Sequence, residues 1–159
     1  MDPEYSQNFL RITKAAAADY SSAIGDIQTP QSVLHAAFDA IIRGDFEAFG
    51  QCVAEDIELH ISGFQPSGLG ELDGAWRGRD QVVAATRKNF ALLDEQKPEL
   101  ENMISQGDRI AVLLRESGVF KSNGRGYNVR GVQWFTFAGG KIKRIDEIIA
   151  SAAAVPQRT

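Results

Sequence analysis

The sequence is sparing with several residue types, and each scarcity removes a class of function. A single cysteine, Cys52, excludes an internal disulfide and any cysteine-rich metal site, and it suits a reducing compartment. It lies in the helical pattern FEAFGQCVAED and reads as an inert, partly buried thiol. The two histidines, His35 and His60, stand far apart with no acids at ligand spacing, so neither a metal site nor a cofactor is expected. Basic residues do not predominate. The 17 Lys and Arg face 21 Asp and Glu, for a formal net charge of −4 and a pI near 5.2. Nucleic acid and anionic membrane both select basic surfaces, so neither is an expected partner.

Long hydrophobic runs are also missing. No stretch reaches the roughly 18 apolar residues that a membrane span needs. The opening MDPEYSQNFL is acidic, with no basic region ahead of an apolar run, so no secretory signal is expected and a cytoplasmic location is. The glycine-rich stretches GLGELDG and NGRGYNVRG lack the strand–loop–helix setting and the lysine that phosphate binding requires.

What is present is an ordinary globular composition, 43% hydrophobic and 24% charged. A chain of 159 residues is long enough to bury its own core as one domain. Residues 1–28 read as an N-terminal helical extension and linker. Phe9, Ile12, Ala16 and Tyr20 recur at helical spacing there, and GDIQ follows as the linker. The body spans residues 29–150 and opens sharply at Thr29-Pro30, an N-cap followed by a first-turn proline. Val33, Leu34, Ala37, Phe38, Ile41 and Ile42 then form one apolar helical stripe. Gly44 ends that helix, and Asp45 caps a short second one over FEAFGQCV.

DIELHIS alternates as a strand, with Ile57, Leu59 and Ile61 on one face and Glu58, His60 and Ser62 on the other. A loop of roughly a dozen residues, 63–74, is long enough to suspect function. A third helix starts near Arg79 or Asp80, with Val82, Val83, Thr86 and Phe90 inward. Strands over 99–106, 109–121, 127–138 and 141–149 follow, joined by the short glycine-bearing turns QGD, SNGRG and AGG of antiparallel hairpins. Residues 151–159 read as a C-terminal tail. Three helices ahead of a long meander make an α+β plan, and such a sheet curls over the helices to leave a pocket on its concave side.

Three stretches carry a family resemblance: AIIRGDFEAFGQCVAEDIELHISG, LDGAWRGRDQVVAAT and VQWFTFAGGKIKRIDEII. Their order and content resemble the nuclear-transport-factor-2-like superfamily, in particular its SnoaL-like branch. That branch includes polyketide cyclases, ketosteroid isomerase and limonene epoxide hydrolase. The resemblance implies a conical, cystatin-like half-barrel: a curved antiparallel sheet closed by three helices, with a deep, mostly apolar pocket. It also implies a homodimer across the outer sheet face, and cofactor-free acid–base chemistry on a small organic molecule. An isomerase, cyclase or hydrolase acting on a small apolar carbonyl compound, polyketide-like or terpenoid, fits that pattern. The alternative is a non-catalytic ligand-binding or dimerisation module of the same fold.

Two residues are the catalytic candidates. Counting from Gly140-Lys141-Ile142, the family's last-strand acid falls on Glu147, and alternation puts it on one face with Ile145 and Ile149. A carboxyl in an apolar pocket has its pKa raised and exchanges protons near neutral pH; pairing with Arg130, or solvent exposure, is the alternative. The resemblance places a pocket-facing polar residue at His60, a residue type able to act as a base. A one-residue slip in register would turn His60 outward. His35 reads as a packing or surface residue. Trp76, Phe64, Tyr127 and Trp134 are expected to shape the cavity or its mouth, and Arg115 and Gln133 are strand residues able to point inward. The body has no tyrosine in its first-helix region, where steroid isomerases carry one. Around Asn128 and Arg130, NVR lacks the first acid of an Asp-Arg-Asp relay. Both departures argue against steroid isomerisation and limonene-type hydrolysis.

Overall fold

The computed structural model describes residues 28–64 and 70–155. The helix expected in the N-terminal extension lies outside these. Helix α1 runs Pro30–Ile42, with the Thr29 hydroxyl accepting from the Ser32 N–H at 3.2 Å. It buries Val33, Leu34, Ala37 and Ala40 against the sheet. Gly44, at φ 71°, turns the chain. Asp45 then caps α2, Phe46–Cys52, its carboxylate accepting from the Ala48 N–H at 3.0 Å. Strand β1 (Val53–Ser62), a 3-10 turn (Gly70–Leu72), β2 (Gly74–Arg77) and α3 (Arg79–Leu92) follow. The chain ends in β3 (Leu93–Gln106), β4 (Arg109–Phe120), β5 (Gly126–Ala138) and β6 (Lys141–Val155).

The six strands form one sheet in the order β2-β1-β6-β5-β4-β3. The expected hairpins all pair antiparallel, and β1 lies parallel to β6, with Leu59 opposite Ile145 and Ile61 opposite Glu147. Hairpin turns speak only for consecutive strands, and these two are separated by most of the chain. The sheet is open, ending at β2 and β3, and curved. Its ladder is broken by bulges at Asp94–Lys97, Leu100–Asn102, Arg130–Gly131 and Thr136–Phe137. Each bulge puts an extra residue on one strand and increases the local twist.

Two strands are longer than the sequence pattern indicates. β3 begins at Leu93 rather than 99, and β6 continues to Val155, past residue 150. The main core sits between the helices and the concave face, with Phe49, Leu34, Ile57, Ile110, Ile142, Val53, Val82 and Val112 fully enclosed. A second cluster, including Phe64, Leu72, Leu93, Phe120 and Val129, fills the other end of the concavity. The space between these clusters is the cavity described next.

Candidate functional site

Helices α1 and α3 and the inward faces of β1, β3, β4, β5 and β6 enclose a cavity of about 190 Å³. Its walls are aliphatic and aromatic, with Leu34, Phe38, Phe90 and Phe135 among them. Polar groups are few: Gln96, Glu116, Tyr127, Gln133 and Glu147 within, and Thr86, Asn89 and Glu99 also on the lining. No lysine, arginine or histidine lines it among the described residues.

Glu147 projects inward from β6, between Ile145 and Ile149 on the same face. Gln133, directly opposite on β5, donates its Nε2 to Glu147 Oε2 at 3.0 Å. The second carboxyl oxygen, Oε1, meets no hydrogen-bond donor among the described residues. Burial pushes the Glu147 carboxyl up to about 7; the Gln133 hydrogen bond opposes this and the charge of Glu116 reinforces it. Gln133 Oε1 is also buried without a hydrogen-bond partner.

A second carboxyl, Glu116 on β4, enters the same cavity. Its Oε1 accepts from the Tyr127 hydroxyl and from Gln96 Nε2, the latter at 3.3 Å. Burial raises its pKa, with the Tyr127 and Gln96 hydrogen bonds pulling the other way. The Tyr127 phenol is raised too, by burial first and then by the neighbouring Glu116 charge. Gly118 makes this contact possible. It pairs with Tyr127 across the strands, and a Cβ there would lie 2.8 Å from the phenol ring.

The structure therefore brings Glu147, Gln133, Tyr127 and Phe64 to one cavity and leaves the other candidates outside it. His60 is on the opposite face of β1, because Ile57, Leu59 and Ile61 take the inward positions. Its ring is 44% exposed and lies 3.9 Å from the Glu58 carboxylate. Trp134 is 40% exposed on the outer face, opposite Asp146. Arg115 points outward as well, 2.7 Å from Glu101, which also holds Arg130 at 2.9 Å. Arg130 is thus committed away from Glu147. Trp76 packs against the main core from β2 without lining the cavity. Asp146 faces outward onto Arg144 at 2.7 Å.

Among the cavity residues that escape the sequence reading are Glu116 and Gln96. Glu116 alternates in phase with Ile110, Val112 and Leu114, the same pattern of an acid among inward apolar residues that marks Glu147. Gln96 has no such pattern. It reaches the cavity through a bulge at Glu95, whose φ of 51° resets the alternation of β3.

The raised Glu147 pKa carries a stability prediction. The folded protein holds this proton more tightly than the unfolded chain, whose carboxyl titrates near 4.5. The group's contribution is therefore complete below that pH and is lost as pH rises through about 7. Linkage sets the loss on the order of 3 kcal/mol. Denaturant unfolding of the wild type should weaken between pH 5 and pH 8 relative to Glu147→Gln. Parallel pH dependences for the two proteins would contradict the assignment.

Comparison with known proteins agrees with this architecture. Residues 34–145 match the SnoaL-like domain family. An uncharacterized protein of Mycobacterium tuberculosis is 31% identical over 118 residues, covering 74% of this chain and 86% of that protein. The crystal structure of an NTF2-like protein from Burkholderia xenovorans superposes with a TM-score of 0.63 at 27% identity, covering 76% of this chain and 88% of the other. TerC, co-crystallized with polyporic acid, shares the fold at a TM-score of 0.63 and 20% identity, over 76% of this chain and 92% of its own. An open, curved sheet over three helices and a family match across most of the body lead to one assignment: the chain belongs to the SnoaL-like domain family and has the NTF2-like α+β cone fold.

Proposed function

We propose that the cavity receives a small, largely apolar carbonyl compound and that Glu147 moves a proton on it without a cofactor. The observation that carries this reading is a carboxyl poised near neutral pH, with one oxygen uncommitted, inside an apolar cavity. A base works best when its pKa lies near the working pH, because it is then both available and strong enough. In the proposed reaction the Glu147 carboxylate takes a proton from the carbon next to the carbonyl. The electron pair of that C–H bond forms a carbon–carbon double bond while the carbonyl π pair moves onto oxygen, giving an enol or enolate. Glu116, whose pKa burial raises, has Oε1 occupied by Tyr127 and Gln96; in its protonated form Oε2–H is left to donate to that oxygen. Once the Glu147 carboxyl has traded that proton with solvent, delivery back to the same carbon completes exchange; with a β,γ-unsaturated carbonyl compound, delivery to the γ-carbon completes isomerisation. Two carboxyls in one site, one working as base and one as acid, divide the labour by environment.

TerC, a protein of the same fold, holds polyporic acid in its crystals, which supports a small-molecule role for the cavity. The test is deuterium exchange at the α-carbon of cyclohexanone in D2O, followed by NMR. Exchange should rise with pH through a midpoint near 7, as Glu147 loses its proton. Glu147→Gln should lose roughly a hundredfold or more. Equal exchange by wild type and Glu147→Gln would refute the role.

The outer sheet face favours a homodimer. Trp134, Ile148 and Ile104 are 40%, 56% and 67% exposed, and Ala111 lies between Ile104 and Trp134 in the sheet register. Exposed large apolar side chains grouped on one sheet face mark a contact surface. Sedimentation should give twice the chain mass, reduced to the chain mass by Trp134→Glu. A monomeric wild type would rule the dimer out.

A further inference from the structure

The charges around the cavity are one-sided. Three carboxyl-bearing residues line it, Glu99, Glu116 and Glu147, and no lysine, arginine or histidine does so among the described residues. Three arginines of the sheet are paired on its outer face. Arg115 and Arg130 clasp Glu101 on the outer face, and Arg144 bridges Glu58 and Asp146 there. A ligand carrying a carboxylate or phosphate would enter an apolar space with no cation to meet it among the described residues and, above the pH near 7 at which Glu147 ionises, with like charge already inside. Stripping such an anion of water without a partner is costly, and a like charge in the same small cavity weakens binding by roughly a hundredfold.

Size narrows the class further. The cavity of about 190 Å³ is a little larger than the roughly 150 Å³ apolar cavity that accommodates benzene. That is room for one substituted ring. Few polar groups are left for a ligand: Glu116 Oε2 and Glu147 Oε1 have no protein partner among the described residues, Gln133 Oε1 is buried without one, and most of the remaining lining is apolar.

We infer that the cavity selects its ligand by charge and size, accepting an uncharged single-ring carbonyl compound and excluding carboxylates and phosphates of the same bulk. This rests on the reading that the cavity is the substrate site, and it is independent of whether Glu147 performs chemistry there.

The probes are cyclohexanone and cyclohexanecarboxylate, two rings of similar size that differ in charge. Binding is read at pH 8 from the side-chain amide NMR resonances of Gln96 and Gln133, both of which line the cavity. Cyclohexanone should shift them at millimolar concentration, and cyclohexanecarboxylate should bind at least tenfold more weakly. In Glu147→Gln the gap between the two should narrow. Equal or tighter binding of the carboxylate by the wild type would overturn the inference. So would silence from both rings up to a concentration on the order of 10 mM. Ketone binding with carboxylate exclusion but no α-exchange would leave the selection standing and remove the proton-transfer role. Exchange together with equal binding of both rings would do the reverse.

Discussion

Two buried carboxyl groups, Glu116 and Glu147, share an apolar cavity that no cationic side chain lines among the described residues, and this is the constraint on which the site depends. Burial alone would make both of them liabilities, since an ionised carboxylate without a partner is costly inside a protein. The cavity answers by favouring the protonated forms and by supplying neutral donors: Gln133 to Glu147, and Tyr127 with Gln96 to Glu116. Amides and a phenol satisfy an oxygen without pulling the pKa down as far as an arginine would. Cations that would lower a carboxyl pKa lie on the outer face, bound to Glu101, Glu58 and Asp146. Segregation of charge by sheet face is thus what keeps Glu147 near neutrality.

The fold produces that segregation through strand alternation and curvature. Inward positions of β4, β5 and β6 are almost all aliphatic or aromatic, so one acid on each of two strands stands out against its own face. The bulges curl the sheet around the helices and deepen the concavity. Gly118 gives the Tyr127 ring the space beside the strand that lets its hydroxyl reach Glu116.

Much of this was legible in the residues. The caps at Thr29 and Asp45, the helical stripe of α1 and the glycine turns fix the order of elements, because each is a local rule with a local cause. Glu147 was legible because its neighbours Ile145 and Ile149 declare their face. His60 misled because family position and alternation disagree there: Leu59 and Ile61 hold the inward side, so the polar residue between them must point out. Glu116 was visible by the same alternation that marks Glu147, and it passes unnoticed only because ESG ends an apolar run without an apolar residue on both sides. Gln96 and the parallel pairing of β1 with β6 were out of reach. One depends on a bulge and the other on contacts between distant parts of the chain, and neither leaves a periodic trace.

The central claim is that Glu147 is a buried carboxyl held near neutral pH by its cavity. Its titration, followed by NMR of a carboxyl-13C-labelled protein and assigned by the loss of the resonance in Glu147→Gln, tests this most directly. A midpoint near 7 is the predicted result. A midpoint close to the ordinary glutamate value of roughly 4.3 would contradict it, and with it the role of Glu147 as the proton-transfer group.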